Sequence, residues 1–211
     1  MTEPFNDKGA RRVSVVLFEG FELLDVFGPV ELLFLTPGIT VEYVGPAADP
    51  VASSQGGQVV AQRAYGDLVD PDILLVPGGM GTRRLVSDQT FLSWLRLAGE
   101  RCAVVTSVCT GSALLAAAGL LDGYRATSNK AAFTWASGFG ESVDWAPRAR
   151  WVHDRDRWTS SGVATGMDMT TALIADLRGT EAARAAARLA EYEPYTAAAC
   201  DPFAAIHGLA D

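Results

Sequence analysis

Apolar positions along the chain fall into two patterns, short unbroken runs and longer stretches at helical spacing. Residues 13–18 (VSVVLF) form a run rich in β-branched side chains, which predicts a strand buried on both faces. Gly20 and its polar neighbours break that run. A helix is predicted over 29–35, with Pro29 in the first turn, where proline is tolerated. Residues 40–44 predict a second strand, and 51–61, with Gly56-Gly57 between short apolar runs, predict a small hairpin. The run 72–77 (DILLVP) predicts another buried strand, stopped by Gly78-Gly79, after which Phe91, Leu92, Trp94, Leu95 and Ala98 recur at helical spacing. A strand over 103–108 leads into a helix of small and aliphatic residues over 110–121. Trp151-Val152 and Trp158-Thr159 flank 154–157 as a second hairpin, and a last helical pattern runs over 165–177.

Strands alternating with helices predict an α/β fold with a mostly parallel central sheet flanked by helices on both faces. No linker, repeat or low-complexity run divides the sequence, so 1–211 is expected to form one domain. Residues 1–11 are expected to be flexible. The segment 191–211, with prolines at 194 and 202 and weak periodicity, is expected to be an ordered tail packed on the domain.

Composition narrows the function. With 49% hydrophobic and 20% charged residues, the 211-residue chain is expected to fold with a full core. A net charge of −8, from 17 basic and 25 acidic residues, repels phosphate backbones. Arg83-Arg84 is too short to reverse that, and Asp154 and Asp156 interrupt the basic stretch 148–157. A nucleic-acid partner is therefore not expected. Nor is a membrane one, because no apolar stretch approaches the ~20 residues of a spanning helix. The polar amino terminus lacks the apolar core of a signal peptide, so a cytoplasmic location is expected. Cys102, Cys109 and Cys200 form neither a disulfide framework nor a CxxC zinc pattern, and His153 and His207 are the only histidines. No metal or other cofactor is expected.

The candidate chemistry lies at Cys109. A buried strand stops there and a helix begins at once, in Val104-Val105-Thr106-Ser107-Val108-Cys109-Thr110-Gly111-Ser112. Such a turn lifts the side chain out at the carboxyl edge of the sheet, where open α/β folds bind ligands. Unpaired N–H groups at the helix start favour a thiolate, and Gly111 and Ser112 leave room for a substrate. The bland alternative is a small buried hydrophobe. At the end of the neighbouring strand, Pro77-Gly78-Gly79 frees the N–H groups of Gly78 and Gly79 to act as an oxyanion hole, or simply makes a tight turn.

Pro77-Gly78-Gly79, then TSVCTG over 106–111, then Ala118-Gly119-Leu120-Leu121-Asp122-Gly123 and Ala126-Thr127 together resemble the ThiJ/PfpI superfamily. That resemblance implies a flavodoxin-like fold similar to class I glutamine amidotransferase domains. It also implies a homodimer acting on a small-molecule substrate. Leu24-Asp25-Val26-Phe27-Gly28-Pro29 and the segment 161–168 (SGVATGMD) are similar to the branch that holds isonitrile hydratases and the sensor halves of AraC-type regulators. By that similarity Asp25, Cys109 and Thr110 form the working site, and Asp25 passes protons while the cysteine attacks carbon. Read without the resemblance, Asp25 is a helix cap. Many relatives carry histidine where this chain has Asn129, and asparagine cannot exchange protons near neutral pH. A Cys–His dyad then requires His153 or His207 to reach in.

The expected activity is hydration of an isonitrile to an N-substituted formamide. Amide or glyoxal hydrolysis on the same fold is one alternative, which the Asp25 motif and Asn129 disfavour. The other is a ligand or oxidation sensor like the amino-terminal half of an AraC-type regulator. The absence of a DNA-binding segment before Asp211 counts against it.

Overall fold

The computed structural model describes residues 9–209. The first strand, β1 (Arg11–Val16), is followed by α1 (Leu23–Phe34), β2 (Ile39–Gly45) and the antiparallel hairpin β3 (Pro50–Ala52) and β4 (Gln58–Val60). Next come β5 (Arg63–Ala64), β6 (Ile73–Val76), α2 (Thr82–Leu85), α3 (Gln89–Arg101), β7 (Val104–Ser107) and α4 (Gly111–Ala117). The rest comprises β8 (Arg125–Ala126), α5 (Phe133–Ala136), β9 (Asp144–Trp145), β10 (Trp151–Asp154), β11 (Arg157–Ser160), α6 (Thr165–Arg178), α7 (Thr180–Leu189) and α8 (Pro202–Ile206).

Seven strands make the central sheet in the order β10-β11-β7-β6-β1-β2-β5. Every neighbouring pair is parallel except β10 with β11. Helices α1, α6 and α7 pack together as one flanking group, and α2, α3 and α4 as another. With both faces covered, the inner strands are deeply buried: all four residues of β6 are apolar and buried, as are Val13, Val15 and Val16 of β1. The chain leaves β1 for β2 on one side and reaches β6 on the other. The strand order therefore reverses between β1 and β6, the kind of switch point outside whose carboxyl ends open α/β sheets bind ligands.

Three features depart from the hydrophobic pattern. Strand β1 begins two residues earlier than expected, because Arg11 and Arg12 pair with Ile39 and Thr40 of β2. Arg11, placed in the segment expected to be flexible, is thus in the sheet; residues 1–8 lie outside the described part. The second departure matters more for the site. Helix α1 begins at Leu23, six residues before the position expected, and Pro29 sits inside it. Gly28 precedes the proline, so the ring meets no side chain there, and the helix continues to Phe34. Asp25 is consequently in the first helical turn, while the cap position belongs to Glu22. The helix-cap reading of Asp25 fails.

Helix α7 has no counterpart in the sequence reading. Its buried positions are Ala182, Ala183, Ala186 and Ala187, a helical stripe whose side chains are too small to signal a core face. The tail after it is tied down at several points. Arg150 N–H donates to the Ala198 carbonyl at 2.7 Å, and Asp201 N–H to that of Arg148 at 2.8 Å. Asp168 on α6 accepts from the Tyr192 hydroxyl and, at 2.8 Å, from Tyr195 N–H. Its other oxygen is held by Arg150 at 2.6 Å.

Candidate active site

Cys109 stands at a turn that bends the backbone sharply. Its φ is +58°, in the left-handed region that costs an ordinary residue about 1–2 kcal/mol. Four contacts hold it there. Its N–H is shared between the carbonyls of Ser160 and Ser161, at 3.2 and 3.1 Å. Its carbonyl accepts the hydroxyls of Ser112 and Ser128, both at 3.1 Å. Gly111 completes the bend, since a Cβ on it would lie 2.2 Å from the Val76 carbonyl oxygen. The backbone at the turn is thus held from the end of β11, from α4 and from the loop after β8.

The first turn of α1 brings the Asp25 carboxyl to the same edge. Gly78 N–H donates to Oδ2 at 2.8 Å. Oδ1 has no hydrogen-bond partner among the described residues, and the Cys109 thiol neighbours the carboxyl group. Thr110 sits beside them. Its hydroxyl oxygen accepts from Gly79 N–H at 3.1 Å, leaving its own hydrogen for the Cys109 sulfur. The sulfur also receives Thr110 N–H and the Asn129 side chain. Asn129 Oδ1 accepts from Ala132 N–H at 3.0 Å, which turns its amide nitrogen outward as the donor. Gly162 makes space for that nitrogen: a Cβ there would lie 2.1 Å from Asn129 Nδ2.

These contacts revise two expectations. Gly78 and Gly79 do converge on the site, yet their N–H groups are committed to Asp25 and Thr110 and are not free for an oxyanion. The cause is tertiary, because α1 and the 109–110 turn supply acceptors that a local reading cannot see. The second revision concerns the thiol. Burial pushes the Cys109 pKa well above the ordinary thiol value, with the Asp25 charge adding to the effect. Donors from Thr110 and Asn129 only partly offset this. Desolvation outweighs the helix start, which on α4 is a short one of seven residues. Burial likewise pushes Asp25 up to about 8, with Glu22 raising it further and Gly78 N–H and the Cys109 thiol drawing it down. Near neutral pH the resting pair is therefore a thiol beside a carboxylic acid.

The labelling order follows from the same facts. Cys102 is buried, with its thiol pushed up to about 12 by burial, whereas Cys200 is exposed. Limited treatment with iodoacetamide at pH 7 should alkylate Cys200 first and both Cys102 and Cys109 much more slowly. Peptide mapping reads the order, and early modification of Cys109 would contradict a protonated resting thiol.

His153 is occupied elsewhere, stacked on Trp158 at 3.8 Å between centroids and bonded to the Arg155 carbonyl. His207 caps the end of α8 and is exposed. Neither is among the groups acting on the Cys109 thiol. Lys130 was not singled out in the sequence. Its buried ammonium donates to Thr127 Oγ1 at 2.8 Å, to the Ser128 carbonyl at 3.3 Å and to the Ala149 carbonyl at 2.6 Å. Burial pushes its pKa down to about 8, and the three acceptors pin the loop that carries Ser128 and Asn129. A cavity of about 540 Å³ between α6, α7 and the tail includes none of these site residues in its lining. The segment 161–168 meets the site through the Ser161 carbonyl and Gly162, while the Asp168 side chain at its far end anchors the tail.

A strand-to-helix elbow carrying a cysteine at the carboxyl edge of a mostly parallel sheet, paired with a buried acid from the first helix, defines a class of cysteine-centred α/β proteins. The chain belongs to the DJ-1/PfpI family, whose model matches residues 11–176. It is 34% identical over 185 residues to isonitrile hydratase of Pseudomonas putida, covering 88% of this chain and 80% of that enzyme. A crystal structure of a ThiJ/PfpI family protein from Pseudomonas syringae superposes with a TM-score of 0.83 at 34% identity, covering 92% of this chain and 81% of that one. The chain is also 28% identical to the HTH-type transcriptional regulator GbdR of Pseudomonas aeruginosa, over 90% of its own length and 53% of the regulator's. Among the described residues, no helix is long and apolar enough to cross a membrane.

Proposed function

We propose that the protein is an isonitrile hydratase, with Cys109 as nucleophile and Asp25 as the proton carrier. The observation that carries this reading is the fully buried carboxyl of Asp25, fixed by Gly78 N–H beside the Cys109 thiol, where burial favours its protonated form. An isonitrile carbon is electron-rich and must gain a proton as it is attacked. Asp25 delivers that proton to the terminal carbon of R–N≡C while the sulfur bonds to the same atom, and the thiol proton returns to Asp25. The product is the thioimidate R–N=CH–S–Cys109, with every proton conserved. Water then adds to its carbon, assisted by Asp25. Collapse of R–NH–CH(OH)–S–Cys109 expels the sulfur, which regains its proton, and releases R–NH–CHO. Thr110 and Asn129 donate to the sulfur whenever it carries charge, and so ease both its attack and its departure. The identity to the Pseudomonas putida enzyme over most of both chains supports the same reading. A panel of alkyl and aryl isonitriles should yield N-substituted formamides, with the rate declining as pH rises through about 8 and Asp25 loses its proton.

The similarity to GbdR favours a second reading, a ligand-sensing domain in which the same pocket binds without turnover. No formamide from any isonitrile, together with saturable binding of a small molecule, would select it.

A further inference from the structure

We propose that Gln55, at the tip of the β3–β4 hairpin, is a positioning residue that fixes the Glu22 carboxylate beside Asp25 and so sets how firmly Asp25 holds its proton. This rests on Asp25 as the acid of the proposed reaction and names the device that tunes it.

Helix α1 starts without a cap of its own, because the Glu22 side chain makes no capping bond. The missing acceptor comes from far along the chain: Leu23 N–H donates to Gln55 Oε1 at 3.2 Å. The other end of the same amide, Nε2, donates to Glu22 Oε1. The amide has one sensible orientation, since a flip would set donor against donor and acceptor against acceptor. Gln55 thus closes the helix end and holds the carboxylate in one arrangement.

The hairpin that presents Gln55 is itself fastened to the site. Phe21 bridges to Ser53, Gly20 N–H donates to the Ala52 carbonyl at 2.8 Å, and Ser54 N–H to that of Phe21 at 2.7 Å. Ser54 Oγ donates to the Gly20 carbonyl at 2.7 Å and accepts from Met80 N–H at 3.2 Å. The same hairpin therefore locks both the loop leading to Asp25 and the loop holding its partner Gly78. Glu22 precedes Asp25 by three residues, on the same side of the first turn. Of the groups acting on Asp25, Glu22 repels its charged form, the Gly78 N–H favours it, and the Cys109 thiol is the remaining titratable neighbour. Without Gln55, the half-buried Glu22 side chain is free to turn into solvent, where its charge is screened.

The test is a titration of Asp25 by carboxyl carbon NMR in wild type, Glu22→Gln, Gln55→Ala and the double variant. Glu22→Gln should lower the midpoint by about half a pH unit or more. Gln55→Ala should lower it in the same direction, and the double variant no further than Glu22→Gln alone, since both act through one carboxylate. A Gln55→Ala protein that melts earlier but titrates like wild type would show Gln55 to be only a cap. An unmoved midpoint in Glu22→Gln also overturns the proposal, and it does so even if Gln55→Ala fails to fold. Because the midpoint is read without substrate, the result stands apart from whether any isonitrile is turned over.

Discussion

Cys109→Ser should fold, melt within a few degrees of the natural protein and lose isonitrile hydration by about 10⁴-fold or more. The bend at residue 109 is made by backbone and neighbouring hydroxyls, namely the Ser160 and Ser161 carbonyls, Ser112 and Ser128, and these contacts survive the exchange. Serine also keeps a hydrogen for Asp25 and an acceptor for Thr110 and Asn129. What it lacks is nucleophilicity, because a hydroxyl gives up its proton far less readily than a thiol. The loss should fall on turnover more than on substrate binding, and single-turnover kinetics on an aryl isonitrile would separate the two. A Cys109→Ser protein with even a tenth of natural activity would remove sulfur from the mechanism. So would the failure of mass spectrometry to find a covalent adduct on Cys109 under rapid quench with excess isonitrile.

The sheet could be read from the sequence where strands are buried on both faces, because an unbroken apolar run such as 73–76 has few other fates. The elbow at Cys109 was legible for a related reason: a strand and a helix with no room between them put the residue at the junction on the carboxyl edge of the sheet. Asp25 was harder. Pro29 is a strong local signal for a helix start, yet Gly28, with no side chain to meet the proline ring, lets the helix begin six residues earlier. The residue then moves from a loop to a helical face. Partner identities were the least legible. That Gly78 N–H meets Asp25, that Asn129 meets sulfur past Gly162, or that Gln55 caps a helix start 32 residues away depends on closure of the whole fold. Local context at Cys109 also gave the wrong charge. The helix start lies in the sequence, but the desolvation that outweighs it comes from chain segments around the site.

Asp25→Asn should lose about 10²- to 10⁴-fold in activity while gaining stability at alkaline pH, and the two effects share one cause. The carboxyl group has a pKa of about 8 in the folded protein, against an ordinary value of 3.8. Between those values the folded state binds a proton that the unfolded state has released. Stability from this group is therefore complete below about 4, declines as pH rises, and is lost above about 8. Above that point the native protein must hold a carboxylate at a buried position, beside a thiol whose own ionisation it opposes. Asparagine carries no charge at any of these pH values. Its Oδ1 can still accept from Gly78 N–H, and its amide can face the sulfur. Melting curves for wild type and Asp25→Asn should thus lie close together near pH 5 and separate by pH 9, with the variant the more stable. Activity should behave oppositely, the variant lacking a proton to deliver and a base to assist water. A variant that keeps full activity would exclude Asp25 as the proton carrier. Parallel melting curves across pH 5–9 would mean instead that Asp25 is ionised in the folded protein, and the attack on carbon would then need another acid.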